Sequence, residues 1–280
     1  MSKWDNQRSD VVLAILAKDK GYCLDLYLKC ILNQDFPKDR MRLWIRTNDN
    51  NDRTKEILDD FVAKYSHLYK SVYYDNSDID ENLKSFGEHE WNSERFNILG
   101  KIRDASIAYA KRHSAHYVVV DCDNFIAPRV IQSLYNDRNL GVIGPLLRLG
   151  SSRGYANFHH RSCENGYFDV EDRYYHPVND RNVIGKILVS TVHCTYLIPN
   201  KYLEMVSYVD GTGDWEYIVF SNSLKKHNIP QYLDNTMFHG YLYLADQDAV
   251  YGDRTYEDWF KEEWTPELKE LMGWRHDYIE

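Results

Sequence analysis

Residues 116–125 read His116-Tyr117-Val118-Val119-Val120-Asp121-Cys122-Asp123-Asn124-Phe125. A β-branched run leads straight into two carboxylates, Asp121 and Asp123. Side chains two apart on an extended strand point to one side, so the two acids are expected side by side. Two anions at the end of a buried strand repel each other, and a divalent cation relieves the repulsion. In open α/β sheets, ligands bind beyond the carboxyl ends of the strands. The stretch therefore predicts an α/β fold whose sheet rim carries a metal site for a phosphorylated ligand, the arrangement of a nucleotide-sugar transferase.

Outward from this stretch the first half alternates. Val11–Ala17 reads as a buried strand. Residues 22–33 have helical spacing, with Leu24, Leu28, Ile31 and Leu32 on one stripe. Strands are expected at 41–46, 69–74 and 117–120, and helices at 51–65 and 93–113, the latter with Ser93 as N-cap. Residues 75–92 are polar and read as a loop. This β-α-β-α order implies a parallel sheet. In the second half, 141–147, 153–159, 188–198 and 231–234 read as strands and 215–227 as a helix. Residues 160–182 read as loop. Residues 255–274 read as an amphipathic helix holding Trp259, Phe260, Trp264, Leu268 and Leu271, interrupted near Pro266.

With 280 residues, 43% of them hydrophobic, the chain can bury one large core. Acidic residues outnumber basic ones 43 to 34, a net charge of −9. That argues against nucleic acid as the main partner, since phosphate backbones need a basic surface. It leaves room for a divalent cation and for a basic or neutral polypeptide. Most of the 23 Tyr are expected at the core edge, a few in a sugar pocket. The Cys residues form no C-x-x-C pair, so neither a zinc signature nor a disulfide framework is read. No apolar run reaches the length of a membrane span. Val11–Ala17 is followed by Lys18-Asp19-Lys20 without a cleavage-like site, and Arg275 to Glu280 is no ER-retention signal. The expectation is a cytoplasmic protein without membrane association, with an oligomer left open.

Asp-x-Asp occurs three times, at Asp78/Asp80, Asp121/Asp123 and Asp246/Asp248. The first lies in a polar loop and reads as solvated surface. The third follows Tyr241-Leu242-Tyr243-Leu244 and is a weaker metal candidate. Haloacid-dehalogenase-type phosphatases also end a strand in Asp-x-Asp, using the acids as nucleophile and acid/base. Their motif sits on the first strand and continues with Thr or Val two residues after the second Asp; here the motif is on about the fourth strand and that place holds Phe125. Sugar-activating nucleotidyltransferases need a Gly-rich loop after the first strand, and Ala17-Lys18-Asp19-Lys20-Gly21-Tyr22 has one Gly.

Further blocks stand out in order along the chain. They are Leu13-Ala14-Ile15-Leu16-Ala17, Phe36-Pro37-Lys38-Asp39-Arg40-Met41 and Thr47-Asn48-Asp49-Asn50-Asn51-Asp52-Arg53-Thr54. Trp91-Asn92-Ser93-Glu94-Arg95-Phe96 follows, with Lys101 and Arg103, then Asp121-Cys122-Asp123-Asn124-Phe125. Pro145-Leu146-Leu147, Tyr155-Ala156-Asn157-Phe158, Val192-His193-Cys194-Thr195-Tyr196-Leu197-Ile198 and His239-Gly240-Tyr241-Leu242 complete them. Together, over residues 11–242, they resemble the collagen glycosyltransferases, which glycosylate hydroxylysine in collagen.

The resemblance implies a fold of the GT-A type: one Rossmann-like α/β domain over residues 1–250 with a mostly parallel central sheet. A C-terminal amphipathic helical extension, 251–280, would pack on it. It implies a UDP-sugar donor, UDP-glucose or UDP-galactose, with Mn²⁺ or Mg²⁺. The acceptor would be hydroxylysine or galactosyl-hydroxylysine of a collagen-like polypeptide. Asp121 and Asp123 would hold metal and ribose, and His239 would be the third metal ligand. Without the resemblance a lone His reads as structural. Thr47, Asn48 and Asp49 would contact uracil and ribose. Arg95 and Lys101 would face the diphosphate or donor pocket, against the plainer reading as helix-surface charge. Asn157 and Trp215 would bind donor or acceptor sugar. If configuration inverts, a carboxylate must take the acceptor's proton. Asp214 and Glu216 are the candidates, where the family has two adjacent Asp. If it is retained, they would be binding residues. Cellular relatives reside in the ER lumen, with a signal peptide and retention tail that are not read here. The rival readings are the phosphatase and a sugar-nucleotide-binding protein without turnover.

Overall fold

The computed structural model describes residues 9–79, 92–149 and 155–242. Trp91, Asp80, the Asp246/Asp248 pair and the expected 255–274 helix lie outside these residues. The chain runs β1 (Val11–Ala17), α1 (Leu24–Leu32), β2 (Met41–Thr47), α2 (Thr54–Tyr65), β3 (Ser71–Asp75), α3 (Ser93–Arg112) and β4 (His116–Val120). β3, β2, β1 and β4 lie side by side in that order, all parallel, with Leu13 opposite both Leu43 and Val118.

β1 has no polar face because helices cover both sides of the sheet. Its odd residues Val11, Leu13, Ile15 and Ala17 pack with Leu24, Ile57 and Ile131. Val12 and Ala14 pack on the other side with Ile107, Ala110, Phe220 and Leu224. The period of two along the strand thus divides the core into two layers.

The remainder runs β5 (Asn124–Ile126), α4 (Val130–Asn136), β6 (Val142–Pro145), β7 (Arg148–Leu149), β8 (Phe158–His159) and α5 (Tyr175–Asn179). Then come β9 (Lys186–Val189), β10 (Thr191–Val192), β11 (Thr195–Ile198), α6 (Glu216–Lys226), β12 (Gln231–Asp234) and β13 (Gly240–Leu242). The main sheet has the order β3-β2-β1-β4-β11-β6-β12-β9. β11 enters antiparallel between β4 and β6, β12 is parallel to β6, and β9 closes the edge antiparallel. Four of the seven pairings are parallel, so the sheet is mostly parallel, and its direction reverses beside the acid pair. β5, β13 and β7 form a small second sheet, and β10 pairs with β8.

Several expectations change. The strand expected over 188–198 is three strands in three places. Cys194 has φ 63, a left-handed turn that extended chain cannot absorb. It frees β11 to enter the main sheet while β10 joins β8. The cap of α3 is Asn92, whose Oδ1 accepts from Arg95 N at 3.0 Å, not Ser93. α5 lies within the stretch read as loop. Among the described residues no helix is long and apolar enough to cross a membrane.

Candidate active site

β4 stops at Val120, and the acids that follow are not on a strand. Asn124 N donates to Asp121 O at 2.9 Å, closing a turn over 121–124. The expected same-face alignment is therefore replaced by a turn, because the backbone of Asp121 is drawn sideways. Its N–H donates to Cys194 O of the adjoining segment at 2.9 Å. Asn124 Nδ2 donates to Thr195 Oγ1 at 2.8 Å, and Tyr27 OH donates to Val120 O at 2.9 Å. The Cys122 side chain points inward, bonded to Leu16 O, leaving both carboxylates partly open to solvent.

Each acid has its own cation. Arg103 Nη2 donates to Asp121 Oδ1 at 2.8 Å and stands 3.6 Å from Glu216 Oε1. Lys20 Nζ donates to Asp123 Oδ2 at 2.9 Å and to Tyr22 OH at 3.1 Å. The two carboxyls still feel each other: burial and the Asp123 charge push the Asp121 carboxyl up, against the pull of Arg103. Burial also pushes the Glu216 carboxyl up, again against Arg103. Burial disfavours the Lys20 ammonium, yet Asp123, with Tyr22 and Cys23 beside it, holds the group well above its usual range.

Neither cation has a role assigned from the sequence, although Arg103 stands in the block that follows Arg95 and leaves a further trace there. It falls on the buried stripe of α3 with Phe96, Gly100, Ile107 and Ala110, where a charge needs a partner. Lys101 is exposed. Two helix positions turn the side chain by about 200°, so with Arg103 in the site Lys101 faces away, correcting its expected role. Arg95 is half-buried in the first turn of α3.

The loops after β1 and β2 are stapled together beside the acids. Asp19 N donates to Asn50 Oδ1 at 3.0 Å, Asn51 N to Asp19 Oδ1 at 2.6 Å, Lys20 N to Thr54 Oγ1 at 2.7 Å and Gly21 N to Asp52 Oδ2 at 2.7 Å. Asp19 and Asp49 are both left-handed, φ 51 and 47, strain of a kind that clusters at ligand sites. Thr47, Asn48 and Asp49 are all buried. Asn48 Nδ2 donates to Asp49 Oδ2, Asn50 Nδ2 to Thr47 Oγ1, and Asp49 N to Asp78 Oδ1. Asp49 Oδ1 is buried without a hydrogen-bond partner among the described residues.

His239 is fully buried, with Nε2 3.5 Å from Asp234 Oδ2. Neither ring nitrogen makes a hydrogen bond among the described residues. Although burial pushes the Asp234 carboxyl up, His239 and Thr236 hold it well below the usual carboxylate range. Among the described residues no group of three His, Cys, Asp or Glu is gathered for a metal. The trio Asp121, Asp123 and His239 is thus not a preformed ligand set. What fits is a hard cation held by one or both aspartates and completed by water and substrate oxygens.

Asn157 is fully buried and bonded to backbone: Nδ2 donates to Pro145 O (2.8 Å) and His193 O (3.3 Å), and Oδ1 accepts from Leu147 N (2.7 Å). It frames the sheet rather than holding a sugar. At the start of α6, Asp214 accepts from Tyr167 OH and from Trp215 N (3.0 Å). The Trp215 ring lies 4.4 Å from that of Phe96, and Tyr217 continues the aromatic surface to His193 at 5.1 Å.

Comparison with known proteins bears on the family and the fold. The family model described as "Glycosyltransferase family 25, N-terminal domain" matches residues 8–255. Procollagen galactosyltransferase 2 of Mus musculus is 28% identical over 246 residues, covering 84% of this chain and 39% of that protein. The mouse protein named inactive glycosyltransferase 25 family member 3 is also 28% identical, over 244 residues, 83% of this chain and 40% of its own length. The chain therefore spans about two fifths of these relatives. Residues 1–349 of S. aureus TarS, solved with UDP-GlcNAc, superpose with a TM-score of 0.56 at 12% identity, covering 90% of this chain and 64% of that one. The fold is of the GT-A type.

Proposed function

The chain belongs to glycosyltransferase family 25, and from that premise we propose that it moves a hexose, galactose or glucose, from a UDP-sugar to hydroxylysine or galactosyl-hydroxylysine of a collagen-like polypeptide. The observation that carries this reading is the Asp121–Asp123 turn at the carboxyl ends of the parallel strands, with Arg103 and Lys20 on its two acids. Asp123 and Asp121 would hold a divalent metal ion, Mn²⁺ or Mg²⁺. Bound there, such an ion supplies charge neutralisation for the departing diphosphate. Asp49 Oδ1, without a hydrogen-bond partner among the described residues, would accept from the nucleoside, supported by the buried Thr47 and Asn48. Glu216 is the favoured proton acceptor if configuration inverts. Its carboxyl is raised by burial toward working pH, and Arg103 links it to Asp121. Asp214 is engaged by Tyr167 and orients the start of α6. Trp215 and Tyr217 offer ring faces to a sugar.

The test is a panel of UDP-sugars with deglycosylated and galactosylated collagen peptides, in Mn²⁺ or in EDTA. Transfer from UDP-galactose or UDP-glucose is expected with Mn²⁺ and none with EDTA. Asp123→Asn should lower transfer by about 100-fold or more with little change in thermal midpoint, because its ion pair is partly exposed. Full transfer by that variant sinks the assignment. Tight UDP binding without any transfer would instead support the binding-only reading, which matches the relative named inactive.

A further inference from the structure

We propose that Lys20 is a built-in counter-ion of Asp123 that yields only when a divalent cation and a diphosphate arrive together, so that the site takes up metal and nucleotide as one unit and bare metal weakly. The inference rests on the proposed function in that the diphosphate belongs to the donor.

The two cations of the site differ in freedom. Arg103 is locked below the acids, its side chain 6% exposed. Lys20 and Asp123 stand at the mouth, with side chains 28% and 20% exposed. The Lys20 backbone is fixed: its N–H donates to Thr54 Oγ1 at 2.7 Å, and its carbonyl accepts from Cys23 N and Leu24 N at 3.0 and 2.9 Å. Only the four-carbon stem can swing, carrying a compact charge suited to phosphate oxygens.

Position and charge both oppose bare metal. Metal–oxygen bonds of about 2.0–2.6 Å would put an ion bound through Asp123 Oδ2 close to where the ammonium now stands, 2.9 Å from that oxygen. Lys20 and Arg103 already offset two of the three negative charges on Asp121, Asp123 and Glu216. One net negative charge is a poor host for a divalent ion. A diphosphate brings the missing anions and gives the displaced ammonium a new partner.

Calorimetric titration of the full chain with MnCl2, alone and with UDP, tests this in wild type, Lys20→Met and Lys20→Arg. Lys20→Met should bind Mn²⁺ alone about tenfold more tightly than wild type, and UDP should add less to its metal affinity. Its thermal midpoint should also rise more with MnCl2 alone. Lys20→Arg, which keeps the charge, should resemble wild type with metal alone. Equal or weaker Mn²⁺ binding by Lys20→Met, or none, overturns the inference. If wild type and Lys20→Met differ as expected but UDP never binds, the proposed donor and the joint uptake fall, and only the pairing of Lys20 against bare metal stands.

Discussion

Arg103 joins more of the site than any other single side chain described. One guanidinium nitrogen holds Asp121, faces Glu216 at 3.6 Å, and the group stacks 5.7 Å from the Tyr208 ring. Removing one member of such a pair strands the others in a low-dielectric pocket. Arg103→Met should therefore lower unfolding free energy by about 3–5 kcal/mol, read by urea titration. Arg103→Lys should recover part of the loss, because a point charge replaces the planar fork. A loss below ~1 kcal/mol for Arg103→Met would show that Arg103 does not hold these acids together. The sequence displayed this residue as a charge on an apolar helical stripe, whereas Lys101, two positions away, carried the same residue class without the burial that gives it meaning. Asn157 teaches the converse: its place in a block that resembles the family was legible, but only its backbone partners revealed a framing role.

At the scale of elements, the small sheet of β5, β13 and β7 locks the acid turn against the end of the domain. Gly240 makes that pairing possible. Its φ is 139, and a Cβ there would lie 2.1 Å from Phe125 O. Gly240→Ala should cost about 2 kcal/mol or more and speed amide exchange in 124–126 and 240–242 ahead of the main sheet. Uniform protection with unchanged stability would contradict this. The β1–β4 half was readable because helical and strand periods leave local marks. The 188–198 segment was not, since an unbroken apolar run is consistent with one strand or with three, and the left-handed Cys194 has no local signature.

For the whole molecule, the two-layer core sets the response to acid. His116 sits at the start of β4, its Nδ1 accepting from Asn200 N at 3.1 Å. Burial, aided by the Arg138 and Arg40 charges, lowers its pKa from 6.5 to about 4. Burial likewise lowers His159 to about 4 and His193 to about 3. A histidine depressed in the folded state is protonated first in the unfolded chain. Its stabilising contribution is therefore present above pH 6.5 and is lost as pH falls toward the folded value. Asp121 and Glu216, raised by burial, act in the opposite sense, so the test must isolate one group. Between pH 7 and 4.5, His116→Asn should lose about 2 kcal/mol less stability than wild type, measured by urea unfolding at both values. Equal losses would mean that His116 is already charged in the fold.

The amino-acid sequence by itself determined the α/β class and the alternating first half, and it drew attention to Asp121 and Asp123, because periodicity and the break from apolar run to acids are local properties. The tertiary structure alone decided that these acids lie on a turn, which cations hold them, and that His239 faces Asp234. Lys20 and Asp123 are 103 positions apart, and only the stacking of β1 beside β4 brings their charges within bonding distance.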